Sequence, residues 1–294
     1  SPCVSVSDNM TLTIIRQAFA NAGPDDIICE TQGSYLLAGA SASFYSSILW
    51  TTSGTGTFDN TNIVNPVYTP SIADVNAGVV TLQINALGIA PCIDNIDVMT
   101  LNISRQATVS VGADDTICEA QGSFSLSATV ATLYTSLSWN TTGTGTFNNS
   151  NIQNPVYTPS QNDIDDGSVI LTMTVTSAAP CVGDVDQMVL TINPQATASA
   201  GTDATICEGS TYTLTTATAT DYTSLQWTSS GTGTFDDATL LAATYTPSAA
   251  DIAAGNVTLT LTAQSAAPCV QVSDAMILTI SLQATADAGT DATI

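Results

Sequence analysis

The residues best suited to chemistry in this sequence are seven cysteines that recur at nearly constant intervals. One series lies at intervals of 89 and 89 residues: Cys29, Cys118 and Cys207. A second series lies at intervals of 89, 89 and 88 residues: Cys3, Cys92, Cys181 and Cys269. The chain has no His, so these cysteines are poor zinc ligands. We expect them to form structural disulfides in an oxidising compartment.

Two disulfide schemes fit these intervals. Pairing within a repeat gives Cys29–Cys92, Cys118–Cys181 and Cys207–Cys269, and leaves Cys3 single. Pairing between successive repeats gives Cys29–Cys181 and Cys118–Cys269, and bonds Cys3, Cys92 and Cys207 to repeats outside this sequence. In an Ig-like sandwich the two cysteines of one repeat lie at opposite ends, about 30 Å apart, and a disulfide needs Cα atoms roughly 4.4–6.8 Å apart. This geometry favours the second scheme. Loop-closure entropy, which differs by only about 0.8 kcal/mol, leaves the first open.

Aromatic residues and glycine loops recur with the same period. Three tryptophans, which could stack on sugars, are expected instead in the cores of sandwiches: Trp50, Trp139 and Trp227. The GTG segments at 54–56, 143–145 and 231–233 superficially resemble phosphate-binding loops. They lack the third Gly, the following helix and any Lys, so we predict tight β connections. The candidate glycan-binding residues are three recurring tyrosines: Tyr45, Tyr134 and Tyr222.

Carboxylates supply the remaining candidate chemistry. One Glu follows the first Cys of each repeat: Glu30, Glu119 and Glu208. Paired carboxylates could hydrolyse glycosides, but recurrence copy by copy is typical of a structural position. The Asp groups 25–26 and 163–166 offer oxygen ligands for Ca²⁺ without the spacing of an EF-hand loop, and the equivalents of the second group keep only Asp74 and Asp251. We therefore expect no cofactor, and interpret the acids as solvating groups.

The composition excludes several functions. The chain of 294 residues has 2 Lys+Arg against 25 Asp+Glu, for a formal net charge of −23. Its only cations, Arg16 and Arg105, cannot neutralise a nucleic acid or an anionic membrane surface. Without His or Lys the commonest general bases and Schiff-base nucleophiles are missing, so we predict that the protein is not an enzyme. No apolar run reaches about 18 residues, so we expect no membrane insertion.

The period of these residues defines the domains. Three full repeats span 18–106, 107–195 and 196–283. Residues 1–17 match the end of a repeat and 284–294 match the start of one. We therefore interpret the sequence as part of a longer array.

Each repeat is expected to be antiparallel β. In the second repeat the predicted strands are 107–112, 123–130, 136–140, 155–158, 168–175 and 187–192, and segment 159–167 predicts one capped helical turn that ends at Gly. Short strands with Trp on the third predict an all-β tandem array of Ig-like β-sandwich domains. The joints, such as ISRQATVSVG, are too short for flexible tethers. They favour an extended rod that gains about 35–45 Å per repeat.

The repeat itself, with AGPDDIICE, ILWTTSGTGTF, NPVYTPSIADV and APC in order, resembles the tandem Ig-like repeats of giant Bacteroidetes cell-surface adhesins, the SprB-like gliding-motility adhesins among them. The resemblance implies type IX secretion, an extracellular location at the outer membrane, and contact with the gliding and secretion machinery. We expect a structural stalk whose direct partners are neighbouring repeats and whose separate tip binds an external surface or glycan. The alternatives are a multivalent glycan- or surface-binding array and lateral self-association into a fibre.

Overall fold

The computed structural model describes residues 3–287, 289 and 291. Two compact units divide the chain. Unit 1 comprises residues 1–110, 130–138 and 173–186, and unit 2 comprises residues 111–129, 139–172 and 187–294. Unit 1 therefore contains the whole first repeat and part of the second, and unit 2 contains the rest of the second repeat and the third.

The first repeat, in unit 1, has nine strands and one α-helix between the seventh and eighth strands. They are β1 (Phe19–Asn21), β2 (Asp26–Cys29), β3 (Tyr35–Leu36), β4 (Ser41–Ser43), β5 (Tyr45–Thr52), β6 (Thr57–Phe58), β7 (Val67–Thr69), α1 (Ile72–Ala77), β8 (Val79–Gly88) and β9 (Asn95–Ser104). One sheet has the strand order β2-β9-β8-β5, a second has the order β3-β7-β6, and β1 pairs with β4. Strand β2 runs parallel to β9, and the other pairs are antiparallel.

The core of the first repeat lies between these sheets. Alternation along the long strands buries every second side chain, including Trp50, Leu82 and Met99 of the four-stranded sheet. Leu37 and Tyr68 belong to the same cluster from the opposite side. Two packed sheets with an apolar layer between them form a β-sandwich, and the division into four-stranded and three-stranded sheets, with the buried Trp50 on β5, makes it Ig-like. The predicted fold class is therefore confirmed.

The second repeat has the same order of elements. They are β10 (Thr108–Ser110), β11 (Asp115–Cys118), β12 (Phe124–Ser125), β13 (Val130–Thr132), β14 (Ser136–Thr141), β15 (Thr146–Phe147), β16 (Val156–Thr158), α2 (Gln161–Asp166), β17 (Ser168–Thr176) and β18 (Asp184–Asn193). The strand predicted at 123–130 is instead two strands, because β12 pairs with β16 whereas β13 pairs with β10. Strand β11, which runs parallel to β18, was absent from the sequence prediction.

The third repeat, in unit 2, has the same order of strands and helix as the first. Its elements are β19 (Thr197–Ser199), β20 (Ala204–Cys207), β21 (Tyr212–Thr213), β22 (Thr218–Thr220), β23 (Tyr222–Ser229), β24 (Thr234–Phe235), β25 (Thr244–Thr246), α3 (Ala249–Ala254), β26 (Asn256–Ser265) and β27 (Val272–Ser281). The sheets have the orders β20-β27-β26-β23 and β21-β25-β24, with β19 paired to β22. Trp227, Tyr245 and Leu259 lie in its core.

Candidate functional site

The most distinctive chemical feature of the structure is a disulfide at each junction between repeats. In unit 1, Cys29 at the end of β2 is bonded to Cys181 in the loop between β17 and β18, with a Cα–Cα distance of 4.9 Å. In unit 2, Cys118 is bonded to Cys269, also with a Cα–Cα distance of 4.9 Å. These are the pairs of the between-repeat scheme. The cysteines with no disulfide partner in the described part of the chain are Cys3, Cys92 and Cys207.

A glutamine in the linker reinforces each disulfide. The main-chain N–H of Gln106 donates to Oε1 of Glu30 at 2.7 Å, and its side-chain amide donates to the carbonyl oxygen of Val182 at 2.6 Å. The linker residue is therefore held by the repeat before it and by the repeat after it. Each of these contacts recurs in unit 2, where Gln195 bonds Glu119 at 2.9 Å and Val270 at 2.6 Å.

Further hydrogen bonds fix the first linker along its length. The Ser104 hydroxyl donates to the carbonyl oxygen of Ala179 at 2.9 Å. The N–H of Ala107 donates to the Ser177 hydroxyl at 2.9 Å, and the N–H of Val109 donates to the Asp184 carboxylate at 3.0 Å. The N–H groups of Ala107 and Val109 are in partly buried hydrogen bonds, so reorientation of the linker would leave these donors poorly satisfied.

The role of the recurring glutamates follows from these contacts. Glu30 and Glu119 each accept the N–H of a linker glutamine, and Glu208 accepts the N–H of Gln283 at 3.0 Å. A carboxylate that accepts a main-chain N–H at one repeat position in all three copies is a structural anchor. The sequence signal was the joint recurrence of Cys-Glu and of Gln-Ala, which the spacing analysis did not connect.

A second recurring feature, which we call the aspartate device, is the set of hydrogen bonds that joins the GTG loop of each repeat to a buried aspartate. In the first repeat the Asp74 carboxylate, which is 3% exposed, accepts the N–H groups of Thr55 at 2.9 Å and Gly56 at 2.8 Å. It also accepts the Tyr68 hydroxyl at 2.8 Å and the N–H of Ser71, the N-cap of α1, at 2.9 Å. The equivalent carboxylates are those of Asp163 and Asp251, with 1% and 3% exposure.

This arrangement corrects the interpretation of Asp163 as a solvating group, whereas its neighbours Asp165 and Asp166 are exposed. Asp163 is buried, with its oxygens bonded to Thr144, Gly145 and Tyr157, and the exposed Asp165 accepts the side-chain amide of Gln161. Across residues 3–287, 289 and 291, no group of three or more Cys, Asp or Glu side chains is arranged to hold a metal ion. The GTG loop does bind an anion, but that anion is a carboxylate of the same chain.

The glycines of this loop are required by its tight contact with the aspartate. A Cβ on Gly56 would lie 2.5 Å from the Tyr68 hydroxyl oxygen and 2.6 Å from the carbonyl oxygen of Thr69, and a Cβ on Gly54 would overlap the Asp74 carboxylate. The sequence prediction of a tight connection identified the loop, but not its partner.

We expect Gly56→Ala to destabilise the first repeat by about 3 kcal/mol, because the added methyl group cannot fit without displacing buried polar groups. Gly33→Ala is the matched control. Gly33 has a φ of 73° and open space around its Cβ position, so the control carries only the cost of a left-handed backbone, about 1 kcal/mol. Denaturant unfolding of both variants checks the difference, and equal losses would contradict the steric explanation.

Hydrogen bonds to the buried aspartates lower their pKa values. For Asp251, burial raises the pKa, but the N–H groups of Ser248 and Thr232 and the hydroxyls of Tyr245 and Ser248 outweigh it and lower the pKa to about 2. The pKa values of Asp74 and Asp163 are lowered by the same kinds of contact. The ionised form of each carboxylate is therefore the one that the fold binds.

The lowered pKa predicts a loss of stability in acid. A carboxyl group whose pKa is lower in the folded state contributes stability above its unfolded pKa, near 3.9. That contribution disappears as the pH falls from about 4 to about 2, and for Asp251 it is on the order of 2 kcal/mol. Calorimetric scans over this range should show a falling Tm for the third repeat. In Asp251→Asn the fall should be smaller, and an unchanged slope would contradict the assignment.

The tryptophans are core residues: Trp50, Trp139 and Trp227 are 1%, 3% and 1% exposed. Each indole N–H is satisfied by a main-chain carbonyl, as in the 3.1 Å bond from Trp50 to Ile63. The candidate glycan-binding tyrosines differ among the repeats. Tyr134 and Tyr222 are 38% and 42% exposed, whereas Tyr45 packs against the first core. They do not form one surface repeated in all three copies.

The comparisons with known proteins found similar solved structures but no matching sequence family. No protein-family model matches the sequence, and no curated protein matches it. Among solved structures, the titin I-band fragment I67–I69 is 11% identical, with a TM-score of 0.49 over 92% of this chain and 100% of that chain. Mouse cadherin-23 EC22–24 is 13% identical, with a TM-score of 0.41 over 91% of this chain and 99% of that chain. Similarity at this level carries no information about function. In the part of the chain that the structure describes, no helix is long and apolar enough to cross a membrane.

Proposed function

We propose that this chain is part of the stalk of a large protein displayed on a cell surface. In this role each repeat transmits tension to the next repeat and fixes its orientation. The chain performs no catalytic step. The observation that supports the proposal best is the junction. A disulfide, a glutamine bound on both sides and three further hydrogen bonds join the first repeat to the second within unit 1. A linker between independently moving domains would need none of these contacts.

The chemistry of the rest of the chain supports the same proposal. Disulfides persist in oxidising, extracellular environments. A net charge of −23 keeps neighbouring molecules apart and soluble, which suits a long exposed segment. In tandem repeats, stability adds up over many similar units and their interfaces. By the resemblance of its repeats, we further propose that the protein belongs to a gliding or attachment adhesin at the bacterial outer membrane, exported by type IX secretion.

Electron microscopy of the purified 294-residue chain tests the stalk. We expect thin particles of three beads in line, with a narrow distribution of end-to-end distance. Treatment with a disulfide reductant should broaden that distribution, because the junction would lose its covalent bond. Compact particles, or beads that move independently in the oxidised chain, would contradict the proposal. Antibody labelling of intact cells, followed by separation of the outer membrane, tests the surface location.

A further inference from the structure

A cleft lies beside the linker at the end of each of the first two repeats. In unit 1 it has a volume of about 370 Å³, and we call it the first cleft. In unit 2 it has a volume of about 390 Å³, and we call it the second cleft. The two are copies of one feature, so the differences between their side chains are informative. Five residues of the first cleft have an equivalent 89 positions further on in the second: Glu30 and Glu119, Ile72 and Gln161, Val75 and Ile164, Asn76 and Asp165, and Arg105 and Pro194.

The first cleft contains its own cation. Nε of Arg105 lies 3.8 Å from Oε2 of Glu30, and Glu30 is the only acid among the described residues that line this cleft. The position on α1 nearest to this pair in the lining is the neutral Asn76. One negative and one positive charge therefore balance in the first cleft.

The second cleft has three acids and no cation among the described residues that line it. Pro194 replaces the arginine, and Asp165 replaces the asparagine, beside Glu119. The third acid, Asp221, comes from the turn between β22 and β23, where the second repeat has Leu133. Both of these residues have a left-handed backbone, with φ of 53° and 57°. Carboxylates that share one cleft repel one another unless a cation lies between them.

An arginine side chain fits the second cleft better than a metal ion does. In the part of the chain that the structure describes, no three acids are arranged around one metal position, so the carboxylates of the second cleft are spread apart. A guanidinium is planar and carries five N–H donors, so it can contact carboxylates on different sides. The half-buried Ile164 and Pro194 supply apolar surface for the methylene stem of an arginine.

We propose that the second cleft binds an arginine side chain of another protein. The first cleft shows the same contact within this chain, since Glu30, the equivalent of Glu119, pairs with Arg105. This chain does not supply the second arginine. Its only cations are Arg16 and Arg105, and Arg16 lies over the ring of Phe44, with Cζ 4.9 Å from the ring centroid. The partner is therefore a different, basic protein, which the net charge of −23 attracts.

Nuclear magnetic resonance of the isotope-labelled 294-residue chain tests this binding. The probe is the peptide glycyl-arginyl-glycine, acetylated and amidated. Its counterpart with citrulline has nearly the same shape without the charge. We expect the arginine peptide, at millimolar concentration, to shift the amide signals of residues 161–165 and of Asp221 until they saturate. The citrulline peptide should not shift them, and added NaCl should weaken the binding of the arginine peptide, because salt screens the attraction between charges.

The chain offers a matched pair of variants. Pro194→Arg restores the cation that the first cleft has, and should weaken binding of the arginine peptide at least tenfold, because the new side chain competes for Glu119. Leu282→Arg adds the same charge at the equivalent position of the third repeat, where Leu282 is 69% exposed, and should leave the affinity unchanged. Asp221→Leu copies Leu133 of the second repeat and should also weaken binding.

Four outcomes would overturn the proposal: an arginine peptide that leaves the signals of the second cleft unshifted at millimolar concentration, a citrulline peptide that shifts them equally, equal weakening by Pro194→Arg and Leu282→Arg, and displacement of the arginine peptide by micromolar CaCl₂. The last result would assign the second cleft to a metal ion. None of these outcomes affects the stalk proposal, which the microscopy of the single chain tests separately.

Discussion

Replacing Asp74 with Asn should destabilise the first repeat by about 3 kcal/mol, although the two side chains have nearly the same shape. The carboxylate accepts four donors, one on Oδ1 and three on Oδ2. An amide has a single acceptor oxygen, so at least one buried N–H would face an NH₂ group. The variant also loses the charge that strengthens the remaining hydrogen bonds. Thermal or denaturant unfolding of the 294-residue chain measures the loss.

The sequence supplies a matched control for this substitution. Asp59 accepts the N–H of Val67 at 2.8 Å, and Asn148 occupies the equivalent position in the second repeat, where it accepts the N–H of Val156 at 2.9 Å. Asp59→Asn therefore makes the same chemical change at a site that tolerates the amide, and we expect a change within about 0.5 kcal/mol. If the two variants lose equal stability, the buried charge at Asp74 has no special role.

Reduction of the two disulfides should roughly double or triple the length to which the unfolded chain can be pulled. The disulfides join residues 152 and 151 positions apart, and their loops overlap between residues 118 and 181. The shortest covalent path through the oxidised chain therefore includes only residues 1–29, 118–181 and 269–294. That path is about 116 residue steps, or ~390 Å at about 3.4 Å per step, against ~1,000 Å for the reduced chain. Single-molecule force spectroscopy with and without reductant measures both lengths.

Cysteine variants show whether the two bonds cause that difference. Cys29→Ser combined with Cys118→Ser should give the long extension without any reductant. Cys207→Ser removes a thiol that has no disulfide partner in the structure, so it should leave the short extension unchanged. An oxidised wild-type chain that extends as far as the reduced one would contradict the pairing.

The fold could be predicted from the sequence largely because its strongest signals are repeated and periodic. Strict alternation in residues 168–175 and 187–192 predicted the two long strands β17 and β18, and Ser160 and Gly167 predicted both ends of α2. Strand β11 was missed because only Ile117 and Cys118 of its four residues are buried. Its pairing with β18 is a contact between distant parts of the chain, which local pattern does not encode.

The junction and the aspartate device were predictable only in part. The geometry of an Ig-like sandwich favoured Cys29–Cys181, since it places the two cysteines of one repeat far apart. The partner of each GTG loop was not predictable, because Asp74 lies 19 residues beyond Thr55 and the exposed Asp clusters of the chain have the same composition. The packing of α1 against the sheets places Asp74, the third residue of α1, in the core beside the loop, and a local sequence pattern does not encode that packing.

The overlapping loops also have a consequence for survival among proteases. If an enzyme cuts the backbone once between residues 29 and 269, at least one disulfide still bridges the cut, and the two fragments stay attached. A molecule in which every linker is bridged in this way would stay in one piece after scattered single cleavages, because a disulfide would join the fragments on either side of each cut. It would part only where cuts accumulate within the same loop.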